Sequence, residues 1–507
     1  MLLQHAFAAS CSRLPDKTAL VCGDDRVTFD DLARRVAALA ALLQSRGVGH
    51  GDRVALYLES SIEFATAVHA VLTIGAVFMP ISSLTKADKL AYMLGDTRPR
   101  ALLTDVRLGR VWREALARAA SVTTCVVAGI TQADGDIQPW PAAAYGSAST
   151  LVAAPTVDQD LAAIIYTSGT TGVPKGVMLA HRNMLSAWDS VQSYLQLSED
   201  DVIGLALSPS FSYGLYYVLM GLGLGATVVL EPSVAFPIRI VEHLARERIT
   251  VFPGVPTLFS ALLGLADVSR FDLSPLRIVT NAAAPLSESH IRRIQAWLPG
   301  AKLYSMYGMT ECKRISYLPT EQLAIRPTSV GRGMPGQEVW LVDSYGRRLP
   351  NGSTGELVVR GKHVMRGYWD KPAETAQRLK PGSVRDEWVL HTGDTFRTDD
   401  EGWLYFVARS DDIIKSRGEK VAPREVENVI YAIDAVLDCA VIGVADDLLG
   451  QAVKAFIVLK PGATLTERDV IRQCLMRLES YMAPKSVVFL AELPRTDSGK
   501  IRKLDLR

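Results

Sequence analysis

Residues 162–177 read AAIIYTSGTTGVPKGV. An apolar run of strand length passes into a loop of hydroxyl-bearing residues and glycines, Tyr166-Thr167-Ser168-Gly169-Thr170-Thr171-Gly172-Val173-Pro174-Lys175-Gly176. Small residues let backbone N–H groups approach phosphate oxygens, hydroxyls add donors, and Lys175 supplies compensating charge. The stretch predicts a polyphosphate cradle at the end of a buried strand. It is not a Walker A loop, because the interval from Gly169 to Lys175 is wrong and Gly176, rather than Ser or Thr, follows the lysine. A plain surface turn explains the density of glycines and hydroxyls poorly.

The same strand-then-loop texture extends upstream. From Thr28, TFDDLARRVAALAALLQSRG sets Leu32, Val36, Leu39 and Leu43 at helical spacing and stops at Gly47. RVALYL reads as a strand, SIEFATAVHAVLTIG as a helix and AVFMPIS as an apolar run, and ALLTD, TTCVVAG and TVVLE repeat the alternation. Such alternation predicts an α/β fold with a parallel sheet covered on both faces. Residues 134–158, rich in Pro, Ala, Gly and Ser, read as a surface connection between two lobes. Val202 to Leu230 carries no charge, but Ser208, Pro209, Ser210 and Ser212 interrupt it, so it reads as a buried strand, a loop and a buried helix rather than a membrane span. Beyond Gly331 the texture changes to short strands and turns, a β-rich lobe over about 331–409. EVENVIYAI, CAVIGVA, KAFIVL and RDVIRQCLMRL restore a small α/β pattern afterwards. The expected organisation is a large N-terminal domain, 1–409, of stacked α/β lobes plus the β-rich lobe, then a small C-terminal domain, 411–507.

Composition limits the partners. The 507 residues carry 55 Lys plus Arg against 54 Asp plus Glu, which leaves no bulk positive field to hold a nucleic acid. Cys11, Cys22, Cys125, Cys312, Cys439 and Cys474 form no CxxC pair, which argues against a disulfide framework or zinc knuckle and for a reducing cytoplasm. The first twenty residues lack the basic leader and apolar core expected of an export signal.

YTSGTTGVPKGV is similar to the signature loop of the acyl-adenylate-forming superfamily, which includes acyl-CoA synthetases, luciferases and nonribosomal peptide synthetase adenylation domains. Further segments follow in the family's order, so the resemblance spans Thr28 to Lys500. It implies a mobile C-terminal domain, ATP and Mg²⁺ as requirements, and a thiol acceptor, either coenzyme A or a carrier-protein phosphopantetheine. Within the loop it implies nucleotide contacts from Thr167, Ser168, Gly169, Thr170, Thr171, Gly172 and Lys175. In Tyr304-Ser305-Met306-Tyr307-Gly308-Met309-Thr310-Glu311, the resemblance gives Tyr307 to adenine, Thr310 to the α-phosphate and Glu311 to the metal, a hard oxygen ligand suited to Mg²⁺. Asn281-Ala282-Ala283-Ala284-Pro285 matches a small-residue turn beside the nucleotide, with Ala283, Ala284 and Pro285 in contact. Asp394, in Leu390-His391-Thr392-Gly393-Asp394, would accept hydrogen bonds from the ribose hydroxyls, with Arg409 beside it.

Asp411 matches the hinge, after Ala408 where the family usually has Gly, and Gly418 and Lys420 would face the site during thiol transfer. Lys500, in Pro494-Arg495-Thr496-Asp497-Ser498-Gly499-Lys500, matches the mobile lysine that neutralises charge as a carboxylate attacks the α-phosphate. The catalytic set is therefore Lys175, Thr310, Glu311 and Lys500. In the segment Gly443 to Gln451, Gln451 replaces a family Glu.

The acid pocket is expected around Phe211, Ser212, Tyr213 and Gly214, with Asn281 and Gly308, and to be apolar and aromatic. Ser212 stands where amino-acid-activating relatives place Asp, so a substrate ammonium would lack a partner and α-amino acids are disfavoured. Tyr213, Tyr216 and Tyr217 either line this pocket, favouring an aryl or short acyl chain, or pack a buried helix. His181, His391 and Cys312 read as structural. The expected activity is an ATP-dependent ligase that forms an acyl-adenylate and passes the acyl group to coenzyme A. The alternatives are loading of a carrier protein and a catalytically silent nucleotide-binding protein.

Overall fold

The computed structural model describes every residue except 143–150, 153, 168–173, 232, 266–267, 285, 410–411, 417–418, 447–449, 479, 497–498 and 507. Two large sheets dominate. The first has eight strands, in the spatial order Gly367–Tyr368, Lys175–Ala180, Leu161–Thr167, Val77–Ser82, Arg53–Leu58, Ala101–Asp105, Thr124–Ala128 and Ile137–Pro139. The second has nine, running from Arg332–Gly333 through Ser316–Leu318, Lys302–Tyr307, Ile278–Asn281, Val251–Gly254, Val202–Leu205 and Thr227–Leu230 to Thr18–Cys22 and Asp25–Thr28.

The centres of both sheets are parallel, as the alternation predicts, and three of their four edges are antiparallel. Leu161–Thr167 and Lys175–Ala180 pair antiparallel, with Thr167 opposite Lys175. Seven intervening residues are too few for a parallel crossover, which needs a dozen or more, so the signature loop closes a hairpin. Ile137–Pro139 likewise corrects the reading of 134–158 as pure connection, since it pairs with Thr124–Ala128.

One core joins the two sheets. Helix Ile62–Thr73 starts on Ser61, whose side chain accepts from Phe64 N, and buries Phe64 through Leu72 without a break. It packs on Arg53–Leu58 and Val77–Ser82 of one sheet and on Thr18–Cys22 of the other. Helix Ser212–Leu224 is buried along most of its length beside Val202–Leu205 and Thr227–Leu230. A helix apolar on every side belongs between two layers. At 13 residues it is too short to span a bilayer, and no helix among the described residues is long and apolar enough to cross a membrane.

A third sheet comprises Gln337–Val342, Thr354–Gly361, Trp388–Thr398, Leu379–Pro381 and Leu404–Arg409. The β-rich stretch is less self-contained than its sequence suggests, because Arg332–Gly333 extends the nine-stranded sheet and Gly367–Tyr368 the eight-stranded one. Residues 414–489 form a separate five-stranded sheet, crossed by helices Pro423–Tyr431 and Glu467–Leu475, with its own apolar core around Val426, Ile430, Val441, Ile457 and Val470.

Gly331 welds the third sheet to the second. Its carbonyl accepts from Leu404 N at 2.8 Å, its φ is +90°, and a β-carbon there would lie 1.7 Å from the Tyr317 carbonyl oxygen. Both the backbone conformation and the space demand glycine. Gly331→Ala is expected to lower unfolding stability by about 2–5 kcal/mol, read by denaturant melts, from steric overlap plus left-handed strain.

Candidate active site

Parallel strands expose their carboxyl ends together, and loops leaving those ends can converge on one crevice. Here Ser82, Thr167, Ala206, Val255, Ala282 and Tyr307, each the last residue of a strand or the first after one, line a single cavity of about 800 Å³. Lys175, Thr310, Glu311, Asp394, Arg409 and Lys500 line it too. Residues from three of the sheets and from the C-terminal turn that carries Lys500 thus meet at one place.

Two carboxylates in the cavity are each held by a tyrosine hydroxyl. Tyr307 donates to Asp394 Oδ2 at 2.6 Å, and Arg409 Nε lies 3.5 Å from Asp394 Oδ1. Asp394 and Arg409 are cross-strand partners, so the ladder itself sets that pair. Asp394 is buried, which pushes its carboxyl upward, while Arg409, the Tyr307 hydroxyl and Lys500 oppose the rise. The Tyr307 ring is braced edge-on by Phe396, with centroids 4.8 Å apart, and tilts against Phe406.

Tyr368 donates to Glu311 Oε1 at 2.7 Å, and Lys175 Nζ sits 5.6 Å from the Tyr368 ring centroid. Glu311 Oε2 has no hydrogen bond among the described residues, which also hold no cluster of three metal-ligating side chains. A lone hard oxygen suits Mg²⁺, which completes its shell with phosphate and water, and suits zinc poorly.

Lys500 is held by a tight turn in which Thr496 N donates to the Lys500 carbonyl at 2.7 Å and Lys500 N donates to Thr496 Oγ1 at 3.2 Å. Its surface is accessible, but it faces the cavity. Crowding by protein, then the charge of Arg409, lowers its ammonium to about 8 against the pull of Asp394 and Glu311.

Ala283 and Ala284 line the cavity, and Ala283 has φ +74°, a conformation that strains a residue with a β-carbon. Asn281 does not reach the cavity. It is fully buried behind this turn, where its Nδ2 donates to the Ala284 carbonyl at 2.9 Å, so its expected place in the acid pocket is corrected to a brace.

Phe211, Ser212, Tyr213, Gly214 and Gly308 do line the pocket. Tyr216 and Tyr217 do not; they are buried behind Tyr213, and the Tyr213 and Tyr217 hydroxyls both bond Thr280 Oγ1 at 2.8 Å. The pocket is not simply apolar and aromatic, because Lys313 and Arg314 are buried in its wall. Arg378 and Tyr368 also line the cavity, and no local motif announced them.

Ser168, Gly169, Thr170, Thr171, Gly172, Pro285, Asp411 and Gly418 lie outside the described residues, as does the Lys420 side chain. His181 is buried, which lowers it to about 4, and His391 Nδ1 lies 3.2 Å from Glu356 Oε2, so both serve packing and pairing. Cys312 is fully buried and its thiol is pushed well above the ordinary range, the opposite of an activated nucleophile.

The profile of the AMP-binding enzyme family matches residues 7–369, and that of the AMP-binding enzyme C-terminal domain matches 425–500. The chain belongs to the AMP-binding enzyme family. A methyl-dioxo-octahydroindenyl-propanoyl:CoA ligase of Rhodococcus jostii (strain RHA1) is 34% identical, covering 97% of this chain and 95% of the relative. A long-chain-fatty-acid–CoA ligase of Bacillus subtilis (strain 168) is 30% identical over 98% of this chain and 93% of its own length. Among solved structures, the anthranilate CoA ligase AuaEII in complex with anthranoyl-AMP superposes with a TM-score of 0.91 at 29% identity, over 100% of this chain and 96% of its own. ATP-bound MatB from Rhodopseudomonas palustris gives 0.89 at 29%, over 100% and 98%.

For this AMP-binding enzyme the Tyr307–Asp394 bond is directly testable. A hydrogen bond to a buried carboxylate contributes about 1.5–3 kcal/mol, so Tyr307→Phe is expected to lower unfolding stability by about that amount in denaturant melts.

Proposed function

We propose that this AMP-binding enzyme is an ATP-dependent carboxylic acid ligase of the acyl-CoA synthetase type. The carboxylate oxygen attacks the α-phosphorus of ATP and pyrophosphate leaves; the thiolate of coenzyme A then attacks the acyl carbon and AMP leaves. The observation that carries this reading is the convergence of Lys175, Thr310, Glu311, Asp394, Arg409 and Lys500 on one cavity that also contains the pocket of Phe211 to Gly214.

Each step brings like charges together, and the residues present answer that problem. Asp394 takes the ribose hydroxyls through oxygens already oriented by Tyr307 and Arg409. Thr167 and Lys175, at the two feet of the signature hairpin, hold the phosphates, and Thr310 meets the α-phosphate. Glu311, steadied by Tyr368, would hold Mg²⁺, which when bound screens the phosphate charge. Lys500 approaches the α-phosphate as the carboxylate adds and offsets the developing negative charge. The C-terminal unit then turns about Asp411 and brings Gly418 and Lys420 toward the site for thiol transfer. Coenzyme A rather than a carrier-protein phosphopantetheine is the acceptor, a reading supported by relatives named as CoA ligases along nearly their whole lengths.

Carboxylate-dependent exchange of labelled pyrophosphate into ATP across a panel of acids, followed by thioester detection with coenzyme A, tests the whole reading. Exchange with one acid and formation of its thioester are expected; silence with every acid favours a nucleotide-binding protein. Lys500→Ala is expected to slow exchange at least about 100-fold, the scale of losing one charge-stabilising group, while thioester formation from supplied acyl-adenylate changes little. An equal loss in both half-reactions removes the role assigned to Lys500.

The pH profile carries a sign. Lys500 acts as a cation, protonated below about 8 and neutral above it. The kcat/KM of exchange should therefore fall as pH rises through about 8, and Lys500→Arg should move that limb upward.

A further inference from the structure

Lys313 and Arg314 follow Glu311 by two and three residues, and both line the cavity while being only 5% and 2% exposed. They converge on one ring: Lys313 Nζ lies 5.4 Å and Arg314 Cζ 4.8 Å from the centroid of Tyr213. Lys313 Nζ donates to the Ser212 carbonyl at 2.7 Å and stands 4.2 Å over Tyr216. Lys313 has φ +62°, so backbone strain is accepted to place this pair.

Among the described residues no acid balances these charges. Among the described residues neither side chain forms an ion pair, the Arg314 guanidinium donates no hydrogen bond, and Arg314 Nε is buried without a partner. Glu311, the nearest acid in sequence, is turned to Tyr368. The Tyr213 and Tyr217 hydroxyls are both engaged with Thr280.

Two adjacent, enclosed cations without counter-charge are destabilising unless a ligand supplies it. We infer that the acid activated here is a dicarboxylic acid, with one carboxylate adenylated and the other held by Arg314, Lys313 completing the charge. The guanidinium fork matches a carboxylate in a bidentate pair, whereas an uncharged tail would leave both cations unmatched, and an ammonium would be repelled. The inference rests on the ligase reading and specifies the substrate class of that same site.

The test compares linear and aromatic dicarboxylic acids with their own monomethyl esters and with the matched monocarboxylic acids in pyrophosphate exchange. The wild-type enzyme is expected to prefer one diacid over its half-ester by about 100-fold in kcat/KM, the scale of truncating one partner of a buried charge pair. Arg314→Gln should collapse that ratio toward unity, chiefly through the KM of the diacid, and Arg314→Lys should restore part of it. A readout free of turnover is the melting temperature: with a non-hydrolysable ATP analogue the diacid should raise it and the half-ester should not, even if the Gln variant fails to fold. Ligand-free Arg314→Met should melt above wild type, because an unmatched charge is gone. Monocarboxylic acids used as well as diacids would overturn the inference and leave the ligase reading standing. A ratio unchanged in Arg314→Gln, with both activities reduced alike, would also overturn it and assign the pair to the reacting carboxylate. Silence with every acid would instead take down the ligase reading, and this inference with it.

Discussion

Bringing a carboxylate up to a triphosphate means forcing like charges together where water is scarce. Unit charges 4 Å apart interact by about 4 kcal/mol at an effective dielectric of about 20, and more as the site dries. The cavity is built around this repulsion. Lys175, Lys313, Arg314, Arg378, Arg409 and Lys500 all reach it, drawn from distant parts of the chain. Of the four acids that reach it, Glu311 and Asp394 are each oriented by a tyrosine hydroxyl, Glu231 is engaged with His243 and Glu59 pairs with Arg107. The surplus of positive charge makes the empty site electrostatically uncomfortable and the loaded one favourable, so binding energy is directed at anions in particular positions.

The fold makes this arrangement affordable by separating framework from chemistry. The sheet centres and the helices between them are apolar, while nearly every charged group of the site stands on a strand end, an edge strand or a following loop. Lys500 is the exception in kind, since it arrives from the far end of the chain on a tight turn. A cation delivered this way is suited to one step of a two-step reaction.

Much of the site was legible in the sequence because its chemistry is local. A glycine- and hydroxyl-rich run ending in Lys175, an aromatic-Gly turn ending in Glu311, and the Asp394 turn each carry residue type and spacing together, and the structure brings their described members to one cavity. What could not be read depends on contacts across long separations. Tyr368 meets Glu311 from 57 residues away, and nothing near either position signals it. Lys313-Arg314 resembles an ordinary solvated basic pair until the helix from Ser212 is known to pack over it. Asn281 was misplaced because adjacency to a site turn does not say which way a side chain faces. In the fold, alternation foretold parallel centres, whereas hairpin edges follow from connection length rather than periodicity.

The short strand Gly367–Tyr368 pairs with Met178 and Val177, a few residues beyond Lys175, while Met365 N and the Tyr368 hydroxyl both grip Glu311. A strap of four residues therefore ties the leg of the signature hairpin in one sheet to the loop that leaves the other. It acts as a spacer bar: the separation between Lys175 and Glu311 is a property of the scaffold, fixed before any nucleotide arrives. Breathing of one sheet against the other must carry both grips along as a single jaw.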